Sequence, residues 1–199
     1  MDFTRNVNRK AGSANKNGRV EDGTYPARIV QIVDLGIQKN EWQGEEKLVD
    51  QVMITFEFPT ETVEIEGEQK PRWLSKQYTK SMNEKAALYK LVEAVDPDGK
   101  TSSKGKHPRK LLGLPCMVTV GSTISGNAKI VGTSRLMKGL AVDDLYNPAV
   151  YFDLASTDKT IFDTFPDWLQ NKIKEAVNFE TTHFFKHMND APLEDKNPF

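Results

Sequence analysis

The side chains best suited to chemistry stand together in one β-rich run, residues 72–80, where basic and aromatic types are interleaved. They are Arg72, Trp73, Lys76, Tyr78 and Lys80. Aromatic rings offer flat faces on which nucleobases stack, and lysine and arginine pair with phosphates. This run therefore predicts a surface that binds nucleic acid.

Strand alternation divides these side chains between two faces. Tyr78 falls on the same face as the three cations, while Trp73 falls on the other, so both rings face one ligand only if a bulge separates them. Because the cations favour solvent, we expect Tyr78 to be exposed and to touch bases. Trp73 remains a candidate binding residue but is also a candidate for the core.

Candidate binding residues also occur outside this run. Trp42 lies in a polar stretch, 40–46, that reads as a loop, and Lys39 precedes it. Arg28 is a further candidate for a phosphate contact because it alternates with the apolar Ile29. A loop at 99–110 has no acidic residue to offset its five cations, which are Lys100, Lys104, Lys106, Arg109 and Lys110.

The sequence gives no support for catalysis. The single cysteine, Cys116, excludes an intramolecular disulfide and suits a reducing cytoplasm. Of the three histidines only His183 and His187 are four residues apart, and no acidic residue lies between them as in zinc proteases. A phosphate-binding glycine loop and a nucleophile elbow are also missing. We therefore expect no catalytic residue, no metal, no cofactor and no enzyme activity.

Hydropathy and charge further restrict the classes of protein to which this sequence can belong. No stretch reaches the ~20 apolar residues of a membrane span, and the N-terminus lacks the apolar segment of a secretory signal, so we expect a cytoplasmic protein. Residues 1–142 hold 22 Lys and Arg against 17 Asp and Glu, whereas residues 143–199 hold 5 against 11. A basic body joined to an acidic end is typical of proteins that handle nucleic acid.

Apolar periodicity predicts a mainly β fold. Five strands are expected near 25–35, 52–58, 72–80, 116–124 and 128–137, with a helix capped by Asn83 between the third and fourth. This is the element order of a five-stranded OB-fold barrel. A short strand near 150–154 and a helix over 166–177 predict a C-terminal extension, in which Trp168 packs with Leu169 and Ile173.

The chain thus divides into four parts. We expect a flexible basic N-terminal arm at 1–22, an OB-fold domain at 23–138, an extension packed on the barrel at 139–187 and an acidic tail at 188–199. The tail ends on Pro198 and Phe199. A terminal phenylalanine places an apolar ring and a carboxylate at one point, which a partner with an apolar pocket beside a basic residue can capture.

Several short motifs, in this order, resemble the single-stranded DNA-binding proteins of tailed bacteriophages. They are Gly23-Thr24-Tyr25-Pro26-Ala27-Arg28, Asp34-Leu35-Gly36, Ile54-Thr55-Phe56-Glu57-Phe58-Pro59, Ser75-Lys76-Gln77-Tyr78-Thr79-Lys80-Ser81-Met82, Leu111-Leu112-Gly113-Leu114-Pro115-Cys116 and Phe165-Pro166-Asp167-Trp168-Leu169. The resemblance implies an OB-fold that coats single-stranded DNA during phage replication or recombination. The tail is similar to those of bacterial single-stranded DNA-binding proteins, which recruit replication and repair enzymes, although Lys196 and Asn197 interrupt its acidic run.

The sequence therefore predicts a protein that coats single-stranded DNA with little sequence preference. Its expected partners are that DNA and, through the tail, phage or host replication and recombination proteins, in the cytoplasm of the host. Self-association on DNA is left open. Two alternatives also stay open: an RNA-binding OB-fold protein, and a phage replication or assembly accessory protein that uses the barrel for protein contacts.

Overall fold

The computed structural model describes residues 19–42, 44–156 and 158–190, and its architecture is mainly β, which confirms the predicted class. The strands are β1 (Gly23–Trp42), β2 (Glu45–Ile65), β3 (Glu68–Thr79), β4 (Pro115–Ser122), β5 (Ala128–Ser134) and β6 (Val150–Phe152). The helices are α1 (Ala87–Val95), α2 (Lys159–Asp163), α3 (Asp167–Lys174) and α4 (His183–Asp190), with 3-10 turns at Pro108–Leu111 and Phe179–Thr181.

All six strands belong to one sheet. Five follow the order β3-β2-β1-β4-β5 with antiparallel neighbours, and β6 pairs parallel with residues 31–33 of β1. Within the described residues β3 and β5 are not paired with each other, so the sheet is open. The helix α1 lies between β3 and β4, and the remaining helices follow β6.

The first two strands are longer than their composition predicts. The stretch 40–46, predicted as a polar loop, is instead the end of a hairpin in which Lys39 pairs with Leu48 and Trp42 with Glu45. The strand β1, predicted to end near residue 35, also continues through Gly36, which sits at a register shift with φ +69°. Backbone pairing and an exposed ion pair between Lys39 and Glu46 hold the end of the hairpin, whose described side chains are mostly exposed and carry little apolar signal.

Two apolar cores lie on opposite faces of β1 and β2. Alternate residues of β2, among them Ile54 and Phe56, enter the first core with α1 and β4. Met53 on the other face of β2 joins β1 residues Val33 and Leu35 in the second core, against β6 and the C-terminal helices. A strand covered on both faces reads as a nearly continuous apolar run, as residues 52–56 do apart from Thr55.

The helices differ from prediction at their ends. Asn83 does not cap α1, which begins at Ala87. The side-chain oxygen of Asn83 instead accepts from Lys85 N at 3.0 Å in a local turn. The expectation that Trp168 packs in the core is wrong, because it is 57% exposed while its neighbour Leu169 is buried. A helix of eight residues buries only one stripe, and Leu169 and Ile173 occupy it in α3.

Among the described residues, no helix is long and apolar enough to cross a bilayer.

Candidate nucleic-acid interface

The two aromatic residues of β3 face opposite to prediction. Tyr78 is 3% exposed and lies in the first core, whereas Trp73 is 44% exposed. The expectation of an exposed Tyr78 is therefore wrong, and Trp73, a candidate both for binding and for the core, is exposed. Tyr78 pairs with Val52 and Leu74 with Phe56, so register with the apolar face of β2 outweighs the cations in deciding which face turns inward. Burial raises the pKa of Tyr78.

The lysines that share this face with Tyr78 are held by the protein itself. Lys76 Nζ lies 5.4 Å from the centroid of the Tyr78 ring, and partial burial lowers the pKa of Lys76. Lys80 Nζ lies 2.9 Å from Asp34 Oδ1 and 2.8 Å from Asp50 Oδ1. Burial opposes the charge of Lys80, but the hydrogen bonds to the two aspartates outweigh it and raise its pKa. Its charge is thus neutralised within the fold.

The remaining predicted cations also have internal partners. Arg28 donates to the carbonyl oxygens of Gly113, Val142 and Asp143, each at 2.7 Å, and lies 3.2 Å from Asp144 Oδ1. Its guanidinium thereby ties the segment after β5 to β1. The other two cations are more exposed. Arg72 Nε donates to Thr62 O at 3.0 Å, and Lys39 pairs with Glu46 at 3.2 Å.

Three predictions concern parts of the chain outside this description. The backbone of Trp42 ends β1, but its side chain is not among the described ones. Residues 1–18 of the predicted arm lie outside the described residues. Pro198 and Phe199 of the predicted tail lie outside them as well.

The loop of residues 99–110 is built around the carboxylate of Asp96 at the end of α1. Asp96 Oδ2 accepts from Ser102 N and Ser102 Oγ, both at 2.7 Å, and Oδ1 accepts from Thr101 N at 3.1 Å. These hydrogen bonds, chiefly those from Ser102, lower the pKa of Asp96. Gly105 N then donates to Ser102 Oγ at 2.9 Å, so a buried serine links both ends of the turn.

The cations of this loop point into solvent and are unpaired. All five are exposed, and none forms an ion pair with another described residue; they are Lys100, Lys104, Lys106, Arg109 and Lys110. An ordered loop that presents unpaired cations is suited to binding a polyanion. We call residues 99–110 the basic loop.

An apolar cleft lies beside the basic loop. Its volume is about 250 Å³, and its lining includes Met82, Leu88, Pro108 and Tyr151, with the ion pair of Lys80 and Asp34 also in the wall. The guanidinium carbon of Arg109 lies 5.9 Å from the centroid of the Tyr151 ring. Cationic and aromatic side chains therefore meet at the edge of the cleft, as they do in sites that bind single-stranded nucleic acids.

The sequence shows the five cations of the basic loop, but the interleaved cations and rings of residues 72–80 placed the predicted binding site on β3. The run of cations without acids was the available signal. Its connection to Asp96 is local, whereas Tyr151 comes from β6, more than 40 residues further along the chain, and only the fold brings the two together. In the described part of the chain, no three His, Cys, Asp or Glu residues form a group that could hold a metal.

Comparison with protein-family models, with curated proteins and with solved structures found no match to this chain.

Proposed function

We propose that this protein binds single-stranded DNA, coating it with little sequence preference, as the phage proteins that its motifs resemble do. The observation that carries the proposal is the basic loop, whose five exposed cations form no ion pair with another described residue and lie beside the apolar cleft that Tyr151 helps to line. Phosphates attract such cations regardless of sequence, and aromatic rings accept any base.

The strand order supports the finer proposal of an OB-fold. In such a barrel the first strand pairs with both the second and the fourth, the second with the third and the fourth with the fifth, and the third meets the fifth to close the barrel. Every pairing except the last is present here. Several Cα atoms of β3 and β5 nevertheless lie within 8 Å of one another, as a nearly closed barrel requires.

The proposed role includes partners beyond DNA. Pro198 and Phe199 would contact replication or recombination proteins of the phage or host, in the host cytoplasm, as the similar tails of bacterial proteins do. No catalytic step is part of the proposal, because the described surface offers cations and rings rather than an activated nucleophile.

Titration with oligo-dT, the matching duplex and oligo-rU at two salt concentrations tests the function. We expect a preference for the single-stranded DNA, with affinity that falls as salt rises. A variant with Lys100, Lys104 and Lys106 changed to Ala should bind more weakly. Each lost phosphate contact should flatten the log–log salt slope by about 0.7, so three contacts flatten it by about 2.

The matched control changes Lys159, Lys172 and Lys174 to Ala, which removes the same charge from α2 and α3. It should retain most of the affinity and of the salt slope. If the two triple variants lose the same affinity and salt slope, the effect depends on net charge alone, and the basic loop is not part of the binding site. Equal binding of single strand and duplex would refute the proposed function, and equal binding of oligo-rU would favour the RNA alternative.

A further inference from the structure

Two exposed aromatic residues are anchored to one buried carboxylate on the outer face of the sheet. Trp73, on β3, donates from Nε1 to Glu57 Oε2 at 3.2 Å. Tyr146, in the segment between β5 and β6, donates from its backbone N to Glu57 Oε1 at 2.7 Å. Trp73 is 44% and Tyr146 57% exposed. One carboxylate thus holds both residues at the same place on the surface.

The environment of Glu57 is unusual for a carboxylate. It is 0% exposed, and its described partners are neutral donors rather than a cation. Besides Trp73 and Tyr146, they include Asn147, which donates from N at 3.2 Å and from Nδ2 at 2.7 Å. Burying a charge is costly unless hydrogen bonds compensate it. Four such bonds satisfy Glu57 and, in return, fix the indole and the chain around Tyr146.

Rigid and solvent-exposed rings are the requirement of a stacking surface. Large aromatic residues usually bury their apolar area. Here the buried Glu57 carboxylate binds the indole of Trp73 directly and fixes the backbone that carries the exposed Tyr146 ring. A base that stacks on a ring already fixed in place immobilises fewer side-chain rotamers on binding. Asp143 and Asp144 lie close to Tyr146 in the chain, and Arg28 is already bound to them. We therefore expect stacking rather than phosphate contacts at this surface.

We propose that Trp73 and Tyr146 form a stacking surface for the bases of single-stranded DNA and that Glu57 positions it. This inference rests on the proposed function and adds to it a binding residue from the C-terminal extension, Tyr146, and a positioning residue, Glu57. The basic loop supplies the salt-dependent part of the affinity, and the Trp73–Tyr146 surface supplies a part that depends on stacking alone.

Titration of full-length variants with oligo-dT tests the surface. Trp73→Ala and Tyr146→Ala should each lower the affinity by roughly 5- to 150-fold, the range of one lost stacking contact. Neither should change the salt slope, because no phosphate contact is lost. Trp168→Ala is the matched control, since Trp168 is an equally exposed aromatic residue on α3, and its affinity should equal that of the wild type.

The positioning role of Glu57 has its own readout. Glu57→Gln replaces one acceptor oxygen with a donor. Either Tyr146 N or the three donors that share Oε2, Trp73 Nε1 among them, then lose their acceptor. The indole N–H resonance of Trp73 should shift in a ¹H–¹⁵N spectrum, and oligo-dT affinity should fall without a change in salt slope. If that variant does not fold, Trp73→Phe keeps a ring but removes the anchor, and its affinity should lie between those of the wild type and Trp73→Ala.

The outcomes separate this inference from the function on which it rests. If Trp73→Ala and Tyr146→Ala bind like Trp168→Ala while the triple lysine variant binds weakly, the stacking surface is refuted and the function stands. If the wild type shows no preference for the single strand, both are refuted. A loss of salt slope in Trp73→Ala would also contradict the inference, since stacking would then not be its contribution.

Discussion

Tyr78 carries a buried hydroxyl that has no hydrogen-bond partner among the described residues. A buried hydroxyl without a hydrogen-bond partner destabilises the folded protein, and a phenylalanine ring in the same place avoids this loss. We therefore expect Tyr78→Phe to raise the free energy of unfolding by about 1 kcal/mol at neutral pH. Urea denaturation followed by circular dichroism measures this change. Oligo-dT affinity should stay unchanged, because the ring is in the core.

The alkaline side of the same experiment follows from the raised pKa of Tyr78. Burial raises this pKa above its ordinary value of 10.0, so the folded protein holds the phenolic proton more tightly than the unfolded chain does. The stability that this difference contributes is fully present below pH 10 and is lost as pH rises above it. Tyr78→Phe cannot ionise, so its advantage over the wild type should grow above pH 10. Tyr25→Phe, which removes a hydroxyl that donates to Glu21 O, is the neutral-pH comparison and should give no gain. Destabilisation by Tyr78→Phe would mean that the hydroxyl has a partner after all.

The orientation of Tyr78 and Trp73 shows how much of this site a single sequence can predict. Residue types along 72–80 indicated a binding surface, and alternation correctly separated the two rings. The choice of the outward face needed the register with β2, where Val52 and Phe56 sit opposite Tyr78 and Leu74. Register is a long-range property, so local charge pointed to the wrong face.

At the scale of elements, the basic loop depends on its carboxylate anchor. Asp96→Asn keeps the size of the side chain but replaces one acceptor oxygen with a donor, so the hydrogen bonds from Ser102 and Thr101 cannot all persist. Amide hydrogen exchange at these two residues should become faster, and oligo-dT affinity should fall because the cations lose their fixed arrangement. Asp98→Asn, immediately before the basic loop, removes the same charge and should change neither measurement.

The pH dependence of this anchor has a defined sign. Hydrogen bonds from Ser102 lower the pKa of Asp96 below its ordinary value of 3.8, so the stabilisation is present above that pH and is lost as pH falls below it. Slow exchange at Thr101 and Ser102 should therefore disappear in acid in the wild type. Slow exchange that persists in Asp96→Asn would contradict the role of the carboxylate.

The elements themselves were predictable where apolar side chains alternate. β2 and the order of strands and helix follow from periodicity, while the hairpin end at 40–46 and the start of α1 do not. Exposed strands such as 45–48 carry polar residues on both faces and look like a loop in sequence. Asn83 favoured a helix start, yet its side-chain oxygen accepts from Lys85 N in a local turn, and α1 begins only at Ala87.

At the scale of the whole molecule, β1 and β2 belong to both apolar cores. Residues that alternate along β2 enter the first core on one face and the second on the other. Composition and periodicity indicated the mainly β class and an extension after the sheet. They did not predict that this extension covers the opposite face of the sheet and supplies nine of the twelve buried residues of the second core.

Because the two cores share their central strands, neither should unfold alone. Phe184→Ala in the second core should lower the free energy of unfolding by about 3–5 kcal/mol, and Ile54→Ala in the first by about 2–5 kcal/mol. Both side chains are buried. In each variant, far-ultraviolet circular dichroism and tryptophan fluorescence in urea should report the same single transition. A Phe184→Ala protein that shows two separate transitions would mean that the C-terminal helices fold independently of the sheet.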